Sequence, residues 1–137
     1  MISIKKVNSK NELLKFIKFP FEIYKNSKFW VPPIIDQEIE NFDKKKNPNI
    51  KQSKTNLFLA YKGSKVVGRI VAIINNYEVE VTKIKKIRFG WFDFIDDFEV
   101  SKKLLDKIDE IGRQNKLEFM EGPMGFTNLD KVGVLTS

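Results

Sequence analysis

The sequence of 137 residues contains neither cysteine nor histidine. The first absence removes disulfides and thiolate nucleophiles. The second removes Ser-His-Asp triads, imidazole acid–base work and the common zinc sites. Chemistry here must rest on carboxylates, tyrosine, lysine, hydroxyls, backbone amides or a bound cofactor, and no metal is expected. Arginine is scarce as well: of 25 basic residues only Arg69, Arg88 and Arg113 are arginines. Readers of nucleic acid favour arginine for base edges and planar phosphate recognition. The net charge of +7 and pI near 9.5 therefore read as a solvated lysine surface, and nucleic acid is not expected as a partner. No apolar run approaches the ~20 residues of a membrane helix, and Met1-Ile2-Ser3-Ile4 leads into lysines rather than a signal-peptide core. A cytoplasmic protein without membrane association is the expectation.

What is present organises into one domain over 1–137, a length sufficient for a single core. Ile2 to Val7 alternates loosely, as a short strand would. Ser9-Lys10-Asn11-Glu12 has capping-box spacing, in which each side chain satisfies an orphan amide of a new helix. Leu13, Leu14 and Ile17 then mark its apolar face, and Pro20 is expected to interrupt or restart it, lacking an amide proton. Phe21, Ile23, Tyr24, Phe29 and Trp30 form an aromatic cluster ahead of an extended Val31-Pro32-Pro33, and Ile34 to Phe42 suits a short helix. Asp43 to Thr55, with Lys44-Lys45-Lys46 and Asn47-Pro48-Asn49, reads as a long loop.

Leu57–Tyr61 and Val66–Ile74 read as two strands joined by the turn pair Gly63-Ser64. An ambiguous Glu/Val/Lys segment follows Asn75-Asn76, and Arg88–Ile95 is the next strand. Asp96, with Glu99 three residues on, makes a second cap. Val100, Leu104, Ile108 and Ile111 then recur at helical spacing, with Asn115 as a C-cap residue and Leu117–Glu121 as a last strand closed by Gly122-Pro123. These elements predict a mixed α/β sheet, an antiparallel meander followed by a βαβ crossover that makes its two strands parallel.

Strict alternation in the third of these strands puts Phe89, Trp91, Asp93 and Ile95 on one face and Arg88, Gly90, Phe92 and Phe94 on the other. Asp93 then sits among large apolar side chains, either as a proton acceptor or bonded to a neighbouring amide. Gly90 can mark a bulge. Arg69 interrupts an apolar strand and can pair with Asp93 or with a ligand phosphate.

In this order of elements the chain resembles the GNAT N-acyltransferase superfamily. The likeness is carried by Phe29-Trp30-Val31-Pro32-Pro33, Asn56-Leu57-Phe58-Leu59-Ala60, Val67-Gly68-Arg69-Ile70, Phe89-Gly90-Trp91-Phe92-Asp93-Phe94 and Gly122-Pro123-Met124-Gly125-Phe126. It implies acetyl-CoA or another acyl-CoA as donor, with its arm between the Arg88–Ile95 and Leu117–Glu121 strands, and a small-molecule or peptide amine as acceptor. On this likeness Asp93 is the catalytic base, the backbone near Phe94 and Ile95 polarises the thioester, and Arg69 is a cofactor ligand. The glycine-rich phosphate loop of the family is replaced by Asp96-Asp97-Phe98-Glu99, which suits a helix dipole and repels a diphosphate. Thr127 to Ser137 offers at most a turn where such enzymes continue with a helix and two strands. The resemblance thus implies the N-terminal portion of the fold. It leaves two functions open: an N-acyltransferase-like domain, or a non-catalytic module that oligomerises or pairs through an open edge.

Overall fold

Helix formation near the N-terminus starts where the capping spacing places it. In the computed structural model, which describes residues 1–28, 30–43, 45, 47 and 53–122, Ser9 Oγ accepts from the amide of Glu12 at 3.1 Å. The Glu12 carboxylate returns to the amide of Asn8 at 2.9 Å. Behind this cap, α1 runs Lys10–Ile23 and α2 runs Ile35–Asn41. Contrary to the sequence expectation, α1 passes through Pro20 without ending. A proline removes the bond to the carbonyl four residues back, here that of Phe16. That carbonyl is satisfied from elsewhere: Arg69 Nη1 donates to it at 2.9 Å. The helix continues because the sheet supplies the donor that its own backbone lacks.

The sheet comprises β1 (Ile2–Lys6), β2 (Ser53–Lys62), β3 (Lys65–Asn75), β4 (Lys86–Phe94) and β5 (Phe119–Glu121), ordered β1-β2-β3-β4-β5. The first four pair antiparallel and β5 pairs parallel with β4. Lys62 opposite Lys65 leaves Gly63-Ser64 as the turn, with Gly63 at φ 64° as a tight hairpin requires. The ambiguous segment after β3 is a short helix α3, Asn76–Glu80, capped by the Asn75 side chain. The second long helix, α4, spans Phe98–Gln114; its cap is Asp97 rather than Asp96, with Asp97 Oδ1 accepting from the Glu99 amide at 2.9 Å.

Helices cover both faces. Val100, Leu104, Ile108 and Ile111 of α4 pack on Phe58, Ile70, Ile87, Phe89 and Phe92. Phe16 and Ile17 of α1, with Ile35 and Ile39 of α2, pack on Leu59, Val71, Ile73 and Trp91. Full coverage explains why β3 reads as a nearly continuous apolar run.

The alternation expected for β4 fails at one point. Arg69 faces Asp93, yet Val71 faces Gly90, so two residues of β4, Trp91 and Phe92, oppose the single Ile70. This is a β-bulge, and Trp91 adopts a φ of 46° within it. Trp91 and Asp93 share the α1 face as expected, but Phe89 belongs with Phe92 on the α4 face. Arg88 accordingly switches to the Trp91 side. The bulge lies at Trp91, next to the glycine that suggested it.

Candidate functional site

The bulge re-aims the strand so that Asp93 points beneath α1, toward Arg69. Arg69 Nε and Nη2 both lie 2.8 Å from Asp93 Oδ2. The other oxygen, Oδ1, accepts from the Tyr24 hydroxyl at 2.9 Å. Arg69 is 3% exposed and stacks over the Phe16 ring at 5.0 Å, while the Asp93 side chain keeps 14% of its surface. Four groups from α1, β3 and β4 are thereby joined: the Phe16 carbonyl, Arg69, Asp93 and Tyr24. Burial, reinforced by the Asp93 charge and the bond to it, holds the Tyr24 phenol far above the ordinary tyrosine range, with Arg69 opposing. Tyr24 is thus a committed donor to Asp93.

Of the residues singled out from sequence, the structure brings Arg69 and Asp93 together. Arg69 is directed at Asp93 and Phe16 in the interior rather than outward toward a phosphate. The Ile95 amide donates to the Val67 carbonyl at 2.9 Å, inside the sheet. Alternation along the strand puts the Phe94 amide on the opposite edge, facing the side on which β5 lies. Pairing of β4 with β5 is described only as far as Arg88 opposite Glu121. Just beyond, Gly122 passes so close that an added Cβ would lie 2.4 Å from the Phe89 carbonyl oxygen. Pro123 to Phe126, and Phe29 of the aromatic cluster, lie outside the described residues.

Sequence reasoning missed Glu38. It is 3% exposed, with Oε1 3.4 Å from the Trp91 indole nitrogen and Oε2 accepting from Asn41 Nδ2 at 2.9 Å. A signal existed: Glu38 stands three residues after Ile35 and one before Ile39, on the inward face of α2. A second ionic group closes the far end of β4. Arg88 grips Glu78 through Nε at 3.0 Å and Nη2 at 2.7 Å, and Lys86 lies 3.4 Å from Glu78 and 3.3 Å from Glu121. The Arg88 bonds lower the Glu78 pKa, with burial opposing them.

That depression fixes the sign of a pH effect. A carboxyl whose folded value lies below its unfolded value of about 4.5 stabilises the fold above that pH, and the contribution disappears as the pH falls through the folded value. Glu78→Gln should therefore cost about 1.5–3 kcal/mol at neutral pH and progressively less below pH 4.5. Urea titrations of both proteins across the acid range measure the convergence, and a gap independent of pH would contradict it.

Whether a CoA-type donor fits can be tested against these groups. The outward Phe94 amide suits an amide-bearing arm laid along β4. The start of α4 does not suit a diphosphate: the Glu99 amide is taken by the N-cap Asp97, and Asp96 and Asp97 just before the helix add their negative charge to that of Glu99 in its first turn. The residues fit the arm and reject the diphosphate at that helix.

No family model matches the chain. Protein YghO of Escherichia coli (strain K12) is 28% identical over 127 residues, covering 93% of this chain and 32% of the relative. The bacterial ceramide synthase of Caulobacter vibrioides is 27% identical over 135 residues, covering 98% and 35%. The chain thus spans about a third of the length of these curated relatives. Among solved structures, a GNAT-family acetyltransferase of Staphylococcus aureus Mu50 superposes with a TM-score of 0.62 at 20% identity, covering 88% of this chain and 72% of that one. A protein of Clostridium acetobutylicum described as a predicted acetyltransferase, determined with acetyl-CoA, gives 0.59 at 11%, covering 88% and 79%. An aminoglycoside acetyltransferase from a soil metagenome in complex with sisomicin gives 0.58 at 17%, covering 88% and 75%. The four-strand antiparallel run and the parallel return through α4 are therefore those of a known scaffold: the chain has the GNAT acetyltransferase fold.

Proposed function

We propose that this chain is an acyl-CoA-dependent N-acyltransferase-like domain acting on an amine. The observation that carries the reading is the bulge at Trp91, after which β4 carries a carboxylate on one face and directs the Phe94 amide to the edge toward β5. A bound thioester would supply an activated carbonyl. The chain's own contribution is to aim the Phe94 amide at that carbonyl's oxygen and to hold Asp93 as proton acceptor for the attacking amine. Arg69 and Tyr24 fix the carboxylate in place; Arg69 does not itself reach the donor. The acetyl-CoA named for the Clostridium structure supports an acyl-CoA donor, and the aminoglycoside chemistry named for the metagenomic enzyme supports a small amine as acceptor. Isothermal titration with acetyl-CoA is expected to show micromolar binding, and no heat at millimolar ligand would remove the enzymatic reading for this chain.

A second reading is favoured by one observation, the carboxylates at the start of α4. If that turn excludes a CoA diphosphate altogether, the scaffold serves as a binding module. The exposed Phe119 and Met120 of β5 then mark the edge by which it pairs with another chain. Sedimentation distinguishes the two: the module associates without donor, whereas the enzyme binds donor as a monomer.

A further inference from the structure

On the side away from β5 the sheet ends in an open strand. No strand among the described residues lies outside β1. The Val7 amide donates to the Leu57 carbonyl at 2.8 Å, and Ser3 and Lys5 stand in the same alternation opposite Tyr61 and Leu59. The amides and carbonyls of Ile2, Ile4 and Lys6 therefore face outward, away from β2. Beside this edge lies a groove of about 290 Å³ lined by Ile2 and Ile4. Its other wall is α4, which presents Lys103, Asp106, Lys107 and Glu110 at helical spacing. This wall holds two lysines and two carboxylates, so it is neutral on a chain that carries +7.

We infer that β1 pairs antiparallel with β1 of a second copy of this chain, joining the two sheets across a twofold axis. The charges on the α4 wall select a second copy as the occupant. Along the helix they run plus, minus, plus, minus, and a twofold axis reverses that order in the other copy. Lys103 of one chain then faces Glu110 of the other, and Asp106 faces Lys107, so the stripe is its own complement. Re-pairing costs little, because the present partners are surface pairs: Asp106 lies 2.9 Å from Lys102, and Glu110 lies 3.5 Å from Lys107. The strands agree. A ladder centred on the outward-facing Ile4 sets Ile2 opposite Lys6 and Ser3 opposite Lys5, so no lysine opposes a lysine. Lysine on an edge strand often guards it against pairing, but Lys5 Nζ is drawn back over the Tyr61 ring of its own sheet at 5.5 Å. A basic chain resists meeting itself, and at this neutral wall two copies approach without that repulsion. The inference goes beyond both functional readings, since it uses the edge opposite β5 and needs no acyl donor.

The experiment is sedimentation of the intact chain from micromolar to millimolar concentration, with amide hydrogen exchange followed over the same range and no donor present. Association is expected, and with it slower exchange of the Ile4 and Lys6 amides, while the edge amides of β5 keep their rates. Lys103→Glu should weaken association about tenfold, and Lys103→Glu combined with Glu110→Lys should restore it. Both positions lie on the surface of α4, so the variants should melt as the parent does. A chain that stays monomeric throughout overturns the inference. So does association that protects the β5 amides instead, or that Lys103→Glu leaves undiminished. A paired reversal that fails to restore what the single one loses overturns it as well. Since no donor is present, each of these failures is separate from a failure to bind acetyl-CoA, and the protected amides tell this contact from association through β5.

Discussion

Arg69→Met is expected to lower the unfolding free energy by about 3–5 kcal/mol, a large share of the roughly 5–15 kcal/mol that holds a domain together. Three losses coincide at this side chain. Asp93 is left in a nearly closed space with only the Tyr24 hydroxyl. The Phe16 carbonyl, already without its helical donor because of Pro20, loses the substitute. The guanidinium stack on Phe16 disappears as well. Most of the cost is the isolated carboxylate rather than the value of the pair, since a buried ion pair roughly balances its own desolvation. The double variant Arg69→Met, Asp93→Leu should therefore regain much of what the single variant loses. Urea denaturation of the parent, both single variants and the double closes the cycle. Additive losses would refute the account.

At Trp91 the usual ranking of alanine over glycine should invert. Removing the indole costs about 3–5 kcal/mol with either replacement, because it fills the space under Phe42 at 5.1 Å and meets Glu38. Within an ordinary strand, glycine is worse than alanine by roughly 0.5–1 kcal/mol. Trp91, however, sits at φ 46°, where a Cβ costs about 1–2 kcal/mol and glycine none. Trp91→Gly should thus be the more stable of the two variants by about 1 kcal/mol. If alanine proves the better replacement, the bulge geometry at this residue is incorrect.

Much of this architecture was legible because local signals and tertiary structure agree. The Ser9–Glu12 box, the Gly63-Ser64 turn and the Val100-Leu104-Ile108-Ile111 stripe each state their element within a few residues. The pairing of Arg69 with Asp93 was open to reading too, since a lone arginine in an apolar strand needs a partner. The bulge was not, because period-two alternation carries no warning of an inserted residue, and tryptophan is not a residue that advertises a left-handed backbone. The persistence of α1 through Pro20 was equally hidden. The compensating donor comes from a residue 53 positions later, and only the folded topology brings it there. The shift of the cap from Asp96 to Asp97 is of another kind, since both residues suit the role and the register of α4 on the sheet chooses between them.

The gap in α1 at Pro20 also bears on the order in which the molecule assembles. In an isolated chain the segment from Lys10 to Ile23 is two short helical pieces, each below the length that is stable alone in water. The second piece, from Pro20 to the Tyr24 amide that bonds back to it at 3.0 Å, gains its anchor only when β3 delivers Arg69 and β4 delivers Asp93. Its hydrogen bonds therefore report on the completed sheet rather than on the helix itself. The last turn of α1 should exchange its amide protons with the slowest, globally protected class, although it stands at the end of a helix where fraying would otherwise begin.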